Sequence, residues 1–162
     1  MAATPSDSSQ RHQALIQLLR TADILWEASR VFFARWELSP SQFNILNLLD
    51  GHPNGLSQTE LGRELLTHRS NITGLVDRLE KRGLVRRNEA AGDRRAYRVV
   101  LASAGAHLLR EIVPEYRKRA DRVWDGIAPE KIGALGVTMG QVSRNAMNTT
   151  SQPHPKDRAR KA

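Results

Sequence analysis

The sequence predicts a mainly α-helical fold interrupted by one small β-hairpin, and three observations carry that prediction. Apolar residues recur at three-and-four spacing over most of the chain, as one face of a helix requires. Two capping boxes mark helix starts at Ser39 and Ser57. Only after Gly83 does the pattern change to the period of two that belongs to strands.

Taken in order, residues 1 to about 10 are Ser-rich, lack periodicity and are expected to be disordered. Leu15, Leu18, Leu19, Ala22, Leu25, Trp26, Phe32, Phe33 and Trp36 then mark a long helix over 11–36, whose apolar stripe is too broad to stay uncovered. Ser39, with Pro40 at the first helical position and Gln42 at the third, opens a short support helix. Phe43, Leu46 and Leu49 form its inner face, and DGHPNG ends it.

Ser57 followed by Glu60 caps the next helix, with Leu56 against Leu61 as its hydrophobic staple. Thr67 is the next N-cap candidate, and Ile72, Leu75, Val76 and Leu79 give a buried face that Gly83 closes. Arg69, Ser70, Asn71, Thr73, Gly74, Asp77, Arg78 and Lys81 are thereby left pointing outward. LVRR and AYRVVL read as two strands, with Tyr97, Val99 and Leu101 on one face and the connection NEAAGDRR between them. Two helices joined by a tight turn and followed by a basic hairpin describe a winged helix-turn-helix over 39–101, a class in which the second helix enters the major groove.

Beyond the hairpin, Leu109, Ile112, Val113, Tyr116, Ala120, Val123 and Ile127 mark a helix of about 22 residues with Pro114 inside it. A last helix opens at Ala128 and Pro129 and carries Ile132, Leu135, Met139, Val142 and Ala146. Its Gly133, Gly136 and Gly140 weaken it unless another helix comes close there. The terminal helices, 11–36 and 103–148, bring more apolar stripe than one small unit covers. They either pack on each other or interlock in a homodimer that sets two reading heads side by side. Residues 149–162 form a proline-interrupted basic tail, expected to be a flexible arm.

At 162 residues and 40% hydrophobic, the chain suits one domain with loose ends. It contains no cysteine, which excludes disulfides, thiolate metal sites and thiol redox switching. No run approaches the roughly 18 apolar residues of a membrane span, and no signal-peptide core precedes the first helix, so a cytoplasmic, nucleoid-associated protein is expected. The net charge of +8 is concentrated: residues 67–101 hold nine Lys/Arg against four Asp/Glu, and residues 152–162 hold four against one. Such a field attracts polyanions, and phosphate neutralisation supplies most non-specific DNA affinity.

The segments LSPSQFNILNLL at 38–49, LSQTELGRELL at 56–66, SNITGLVDRLEKRGLVRR at 70–87 and DRRAYRVVLASAG at 93–105 resemble the MarR family of bacterial transcription regulators. The resemblance spans about residues 12–146. It implies a dimeric winged-helix repressor of pseudo-palindromic double-stranded operators, released by a small-molecule inducer of aromatic or phenolic character, with no other cofactor and no metal. Carried onto this chain, Thr67 to Arg82 is the recognition helix. DNA contacts are expected from Ser57, Gln58, Thr67, His68, Arg69, Ser70, Asn71, Thr73, Gly74 and Arg78, and from Asp93, Arg94 and Arg95 of the wing. The acid of the Asp-x-Arg pattern, Asp93, would orient Arg95 toward a narrow, strongly negative minor groove. Two positions depart from the family: Gly74 stands where many members carry Arg, and Ala102 where many carry a capping Thr, leaving Ser103 to cap. The absence of cysteine separates this chain from the peroxide-sensing members.

Competing chemistries are weaker. The five His residues lack metal-ligand spacing, and no phosphate-binding glycine loop follows a strand. Asp77 and Glu80 read as solvated ion pairs beside Arg78 and Lys81, not as catalytic carboxylates. No enzyme is expected. The principal alternative is a winged-helix module that binds an acidic protein partner. For an effector, Trp26, Arg30, Phe33, Trp36 and Phe43 offer aromatic walls and one cation, although core packing explains the aromatics equally well.

Overall fold

The computed structural model describes residues 7–65, 69–90 and 93–150. Their order is α1 (Asp7–Phe33), a 3-10 turn (Ala34–Trp36), α2 (Pro40–Asp50), α3 (Gln58–Glu64), α4 (Arg69–Lys81), β1 (Val85–Ala90), β2 (Asp93–Leu101), α5 (Ser103–Val123) and α6 (Pro129–Thr150). The chain divides into two compact units, Met1–Ile112 and Val113–Ala162, with the division beside Pro114. Among the described residues no helix is long and apolar enough to cross a membrane.

Both capping boxes form as the sequence predicts. The Ser39 hydroxyl accepts from the Gln42 N–H at 3.2 Å while Gln42 Oε1 accepts from the Ser39 N–H at 2.8 Å. Ser57 and Glu60 repeat the exchange at 3.2 and 2.7 Å. Two orphan donors are satisfied at each helix start, so α2 and α3 begin where they do.

Gly83 ends α4 in the left-handed conformation, φ +69°. The Leu84 N–H donates to the Leu79 carbonyl at 3.0 Å and the Gly83 N–H to that of Glu80 at 2.8 Å, the paired bonds of a Schellman stop. The same pair closes the 3-10 turn, Leu38 to Phe33 at 3.2 Å and Glu37 to Ala34 at 3.0 Å, but there the left-handed residue is Glu37, φ 54°. Its carbonyl and that of Trp36 accept from the Arg82 guanidinium at 2.6 and 3.0 Å. A conformation that glycine would adopt freely is thus held from outside by a residue at the far end of α4.

In the first unit the core gathers Phe32 and Phe33 from α1, Phe43, Ile45, Leu46 and Leu49 from α2, Leu61 from α3 and Ile72, Val76 and Leu79 from α4. Val85, Val99, Leu109 and Ile112 complete it. Phe33 stacks on Phe43 with ring centroids 4.3 Å apart, and Phe32 meets Phe33 edge-on at 5.0 Å. Leu56 exchanges both backbone hydrogen bonds with Val99, at 2.9 and 2.7 Å, fastening the segment before α3 to the hairpin.

Three boundaries and one burial differ from expectation. Helix α1 starts at Asp7, ahead of the expected disordered stretch's end; residues 1–6 and the basic tail beyond 150 lie outside the described residues. The hairpin is longer than expected, since Val85–Ala90 pairs antiparallel with Asp93–Leu101 and most of the presumed eight-residue connection is ladder, with a register shift at Glu89/Ala90. Polar side chains on an edge ribbon satisfy no apolar alternation, so the pattern alone stopped short. Val100 is buried as well as Val99, because the segment at Gly55 covers the other side of the strand. Finally, the Ala102 carbonyl accepts from the Ala106 N–H at 2.9 Å, which makes Ala102 the N-cap and Ser103 the first helical residue instead of the cap.

The second unit comprises the C-terminal part of α5, a turn at Trp124–Gly126 and α6. Val123, Trp124, Ile127, Leu135, Val137 and Met147 are exposed there. In the first unit Leu15, Leu19, Ile24, Leu25, Trp26 and Val31 of α1 are exposed as well.

A Cβ built on Gly105 would stand 2.2 Å from the Leu84 carbonyl oxygen, so α5 can begin this close to the end of the Schellman turn only with glycine there. Gly105→Ala is expected to lower unfolding free energy by roughly 1 to 3 kcal/mol, the usual cost of overpacking. Urea denaturation measures it, and an unchanged midpoint would refute the close approach.

Candidate nucleic-acid interface

Helix α4 buries Ile72, Val76 and Leu79 completely. Each such side chain contributes roughly 1.5 to 3 kcal/mol of transfer free energy, which seats the helix firmly on α2, α3 and β1. Asn71, Thr73, Asp77, Arg78 and Lys81 are left exposed and Gly74 half-buried on the opposite side, as the sequence predicts. The Thr73 hydroxyl donates to Gln58 Oε1 at 2.8 Å, tying the first turns of α4 and α3 together. Ser57 is engaged in its capping box at the start of α3. Asn71, Thr73, Gly74 and Arg78 therefore share one outward face, with Gln58 beside Thr73.

Thr67 and His68 lie outside the described residues. Arg69 and Ser70 form the first turn of α4, and Asp93, Arg94 and Arg95 the first residues of β2, but their side chains likewise lie outside the described residues.

Three arginines that sequence reading assigned no partner hold this face in place. Arg87 of β1 places its guanidinium between Asp77 and Glu80 of α4, hydrogen-bonded to both, while its own N–H donates to Glu80 Oε1 at 2.9 Å. Burial alone would push the Arg87 guanidinium down, but the hydrogen bonds and charges of Asp77 and Glu80 outweigh it and raise it above its ordinary value. The expected pairing of these carboxylates with Arg78 and Lys81 is thereby corrected: Glu80 is half-buried and turned toward the hairpin. Arg98 of β2 donates to the carbonyls of Asn54 at 3.0 Å and Gly55 at 2.7 Å and stands 3.5 Å from Glu60. Arg82, described above, joins the end of α4 to the end of the 3-10 turn. An arginine run signals charge in a sequence; its partners, 7 to 46 residues away, leave no local trace.

The expected effector residues fall into two groups. Phe33 and Phe43 are stacked in the core, and the Trp36 Nε1–H donates to Glu111 Oε1 at 2.7 Å with Arg35 over its ring. Trp26 and Arg30 are exposed on α1, Arg30 pairing with Glu27 at 3.0 Å.

Residues 36–96, from the 3-10 turn through the hairpin, match the sequence profile of the MarR family. Over 133 residues, 81% of this chain and 80% of the relative, it is 28% identical to the HTH-type transcriptional regulator PecS of Dickeya dadantii. These matches liken the chain to the MarR family. The chain is also 30% identical over 116 residues to the transcriptional repressor MprA of Escherichia coli K12, covering 71% of this chain and 64% of that protein. Among solved structures, AbsC of Streptomyces coelicolor, a MarR-family regulator, superposes with TM-score 0.78 at 21% identity, covering 91% of this chain and 99% of AbsC. The transcriptional repressor CouR, solved bound to a 23-mer DNA duplex, gives TM-score 0.73 at 27% identity, covering 86% of this chain and 99% of CouR. These relatives are transcription regulators, not enzymes, and in the MarR-family fold α3 and α4 are the helix-turn-helix and β1–β2 the wing.

Glu60 offers a test of how the helix-turn-helix is fastened. The backbone and hydroxyl of Ser57, with Arg98 and Arg63 nearby, hold its carboxyl below the ordinary 4.5. A depressed folded-state value contributes stability that is present above the unfolded value and lost as pH falls through the folded one. The stability lost in Glu60→Gln is therefore expected to be largest near neutral pH and to shrink below about pH 4.5. Urea midpoints measured from pH 7 to 3 would show it, and a pH-independent difference would count against the capping carboxylate.

Proposed function

We propose that this DNA-binding regulator acts as a homodimeric, ligand-responsive repressor whose α4 reads the major groove of a pseudo-palindromic operator while the wing reaches the adjacent minor groove. One observation carries the reading: the outward face of α4 is polar and cationic while its inner face is buried and tied to both α3 and the wing. Arg78, Lys81 and Arg86 are exposed around it, available for phosphates. The dimer is supported by the exposed apolar residues of α1 and α6, which have the character of an uncovered interface. The repressor reading is supported by the likeness to MprA and CouR. For the effector, Trp26 and Arg30 lie exposed one turn apart on α1, an aromatic surface and a cation suited to a phenolic carboxylate, while Phe33 stays in the core.

Selection of bound sequences from a genomic DNA pool tests the reading, since two heads in successive major grooves require half-site centres about one helical turn apart. On the selected operator, log affinity is expected to fall linearly with log salt by about 0.9 per phosphate neutralised, and no duplex binding at low salt would end this reading. Arg95→Ala should lower operator affinity by roughly 1 to 3 kcal/mol with an unchanged circular dichroism spectrum. Unchanged affinity would remove Arg95 from the wing contact. Release of the operator by an aromatic acid, with urate among those screened, is the expected effector response; none from any of them would remove α1 as the effector site.

A further inference from the structure

We infer that Gly74 is a specificity-determining residue, and that it acts through the side chain it lacks: α4 seats against the base edges at this point, and a Cβ there would hold it off. This inference rests on the placement of α4 in the major groove.

Position comes first. At 3.6 residues per turn, Gly74 lies roughly 200° around the helix from Ile72, on the side of Arg78 and Lys81. It is therefore in the middle of the outward face, with Asn71 one turn before it and Arg78 one turn after, both longer and both exposed. The face is a shallow notch of bare backbone between two polar side chains.

Conformation comes second. Three other glycines of this unit are required for reasons the free protein supplies. Gly83 has φ +69°, Gly55 has φ +69° and would place a Cβ 2.4 Å from the Val99 carbonyl oxygen, and Gly105 would clash with Leu84. None of these applies at Gly74. Its backbone is helical, and a Cβ built there meets nothing within 4 Å. A glycine inside a helix is the least favourable choice short of proline, because it leaves the unfolded chain the most freedom. The free protein gains nothing from Gly74, whereas a partner pressed on the outward face does. Major-groove readout needs side chains within hydrogen-bond reach of base edges, and a bare backbone midway along the helix lets Asn71 and Arg78 both reach down.

Gly74→Ala separates this from every structural role, because the two readouts move in opposite directions. The variant is expected to melt about 3 °C higher, from restored helix propensity. It should bind the selected operator on the order of tenfold more weakly, as for one lost base contact, and random duplex at low salt within about twofold of the native protein. Gly74→Arg, selected on the same DNA pool, should return a changed half-site with guanine gained at one position, the base that Arg reads bidentately. Arg78→Ala is measured alongside. If Gly74→Ala keeps native operator affinity while Arg78→Ala loses it, the inference is overturned and the placement of α4 stands. If neither variant loses affinity, the placement of α4 fails and the inference with it. A lower melting temperature together with weaker binding would make Gly74 a fold glycine, and that too overturns it.

Discussion

The guanidinium of Arg87, held between Asp77 and Glu80, is the interaction on which the reading head depends. It joins strand β1 to helix α4 directly after the Schellman turn at Gly83 has reversed the chain. A half-buried ion pair of this kind contributes little net stability against its isosteric apolar replacement, since both charges lose water. Its value is geometric: three hydrogen bonds fix the hairpin at one distance and angle from the helix. It is also electrostatic. Asp77 is exposed beside Arg78 and Lys81, and Arg87 offsets part of the charge of Asp77 and Glu80 from the protein side, leaving Arg78 and Lys81 to set the sign of the surface.

The same economy governs the rest of the basic stretch. Of its nine Lys and Arg residues, Arg82, Arg87 and Arg98 are committed to carbonyls and carboxylates of the protein itself. The surplus read from the sequence was therefore only partly a DNA-directed field. Arg98 and the Leu56–Val99 bridge fasten the front of α3 to β2, Arg87 fastens α4 to β1, and Arg82 fastens the end of α4 to the left-handed Glu37. The Arg82 and Arg98 links span elements far apart in sequence while Arg87 reaches back across the Gly83 turn, so the orientation of α4 is determined by polar contacts over an apolar base that fixes its depth.

What was legible in the sequence follows from distance along the chain. Capping boxes, the glycine stop and the buried stripe of α4 involve partners three to five residues apart, and each formed where the residues predicted it. The hairpin was legible in kind but not in length, because its outer half carries Asn, Glu, Asp and Arg, whose alternation says nothing about burial. Ser103 was misread for a related reason. A capping hydroxyl is a preference, and Ala102 serves as cap here because the approach of Gly105 to Leu84 sets where α5 begins. The arginine partners were not legible at all. Asp77 and Glu80 had nearer candidates in Arg78 and Lys81, and only the turn at Gly83 brings Arg87 closer than either.

The head and the terminal helices differ in what completes them. In the head, the apolar residues of α2, α3 and the inner face of α4 are covered within one chain, and nothing in its core calls for another molecule. In α1, Ile24 and Val31 are about two-thirds exposed, and in α6 Val137 is more so. In α6, Gly133 and Gly136 weaken the helix while no atom of the described residues approaches the positions their Cβ atoms would take. Exposed β-branched residues and open helical glycines have no use in an isolated chain, and both suit a closely packed helix partner. The proposed second copy would therefore change the terminal helices far more than the heads. Any signal passing from an effector on α1 to the operator would travel through the Phe33–Phe43 stack and through Arg82, just past the end of α4, on the carbonyls of Trp36 and Glu37.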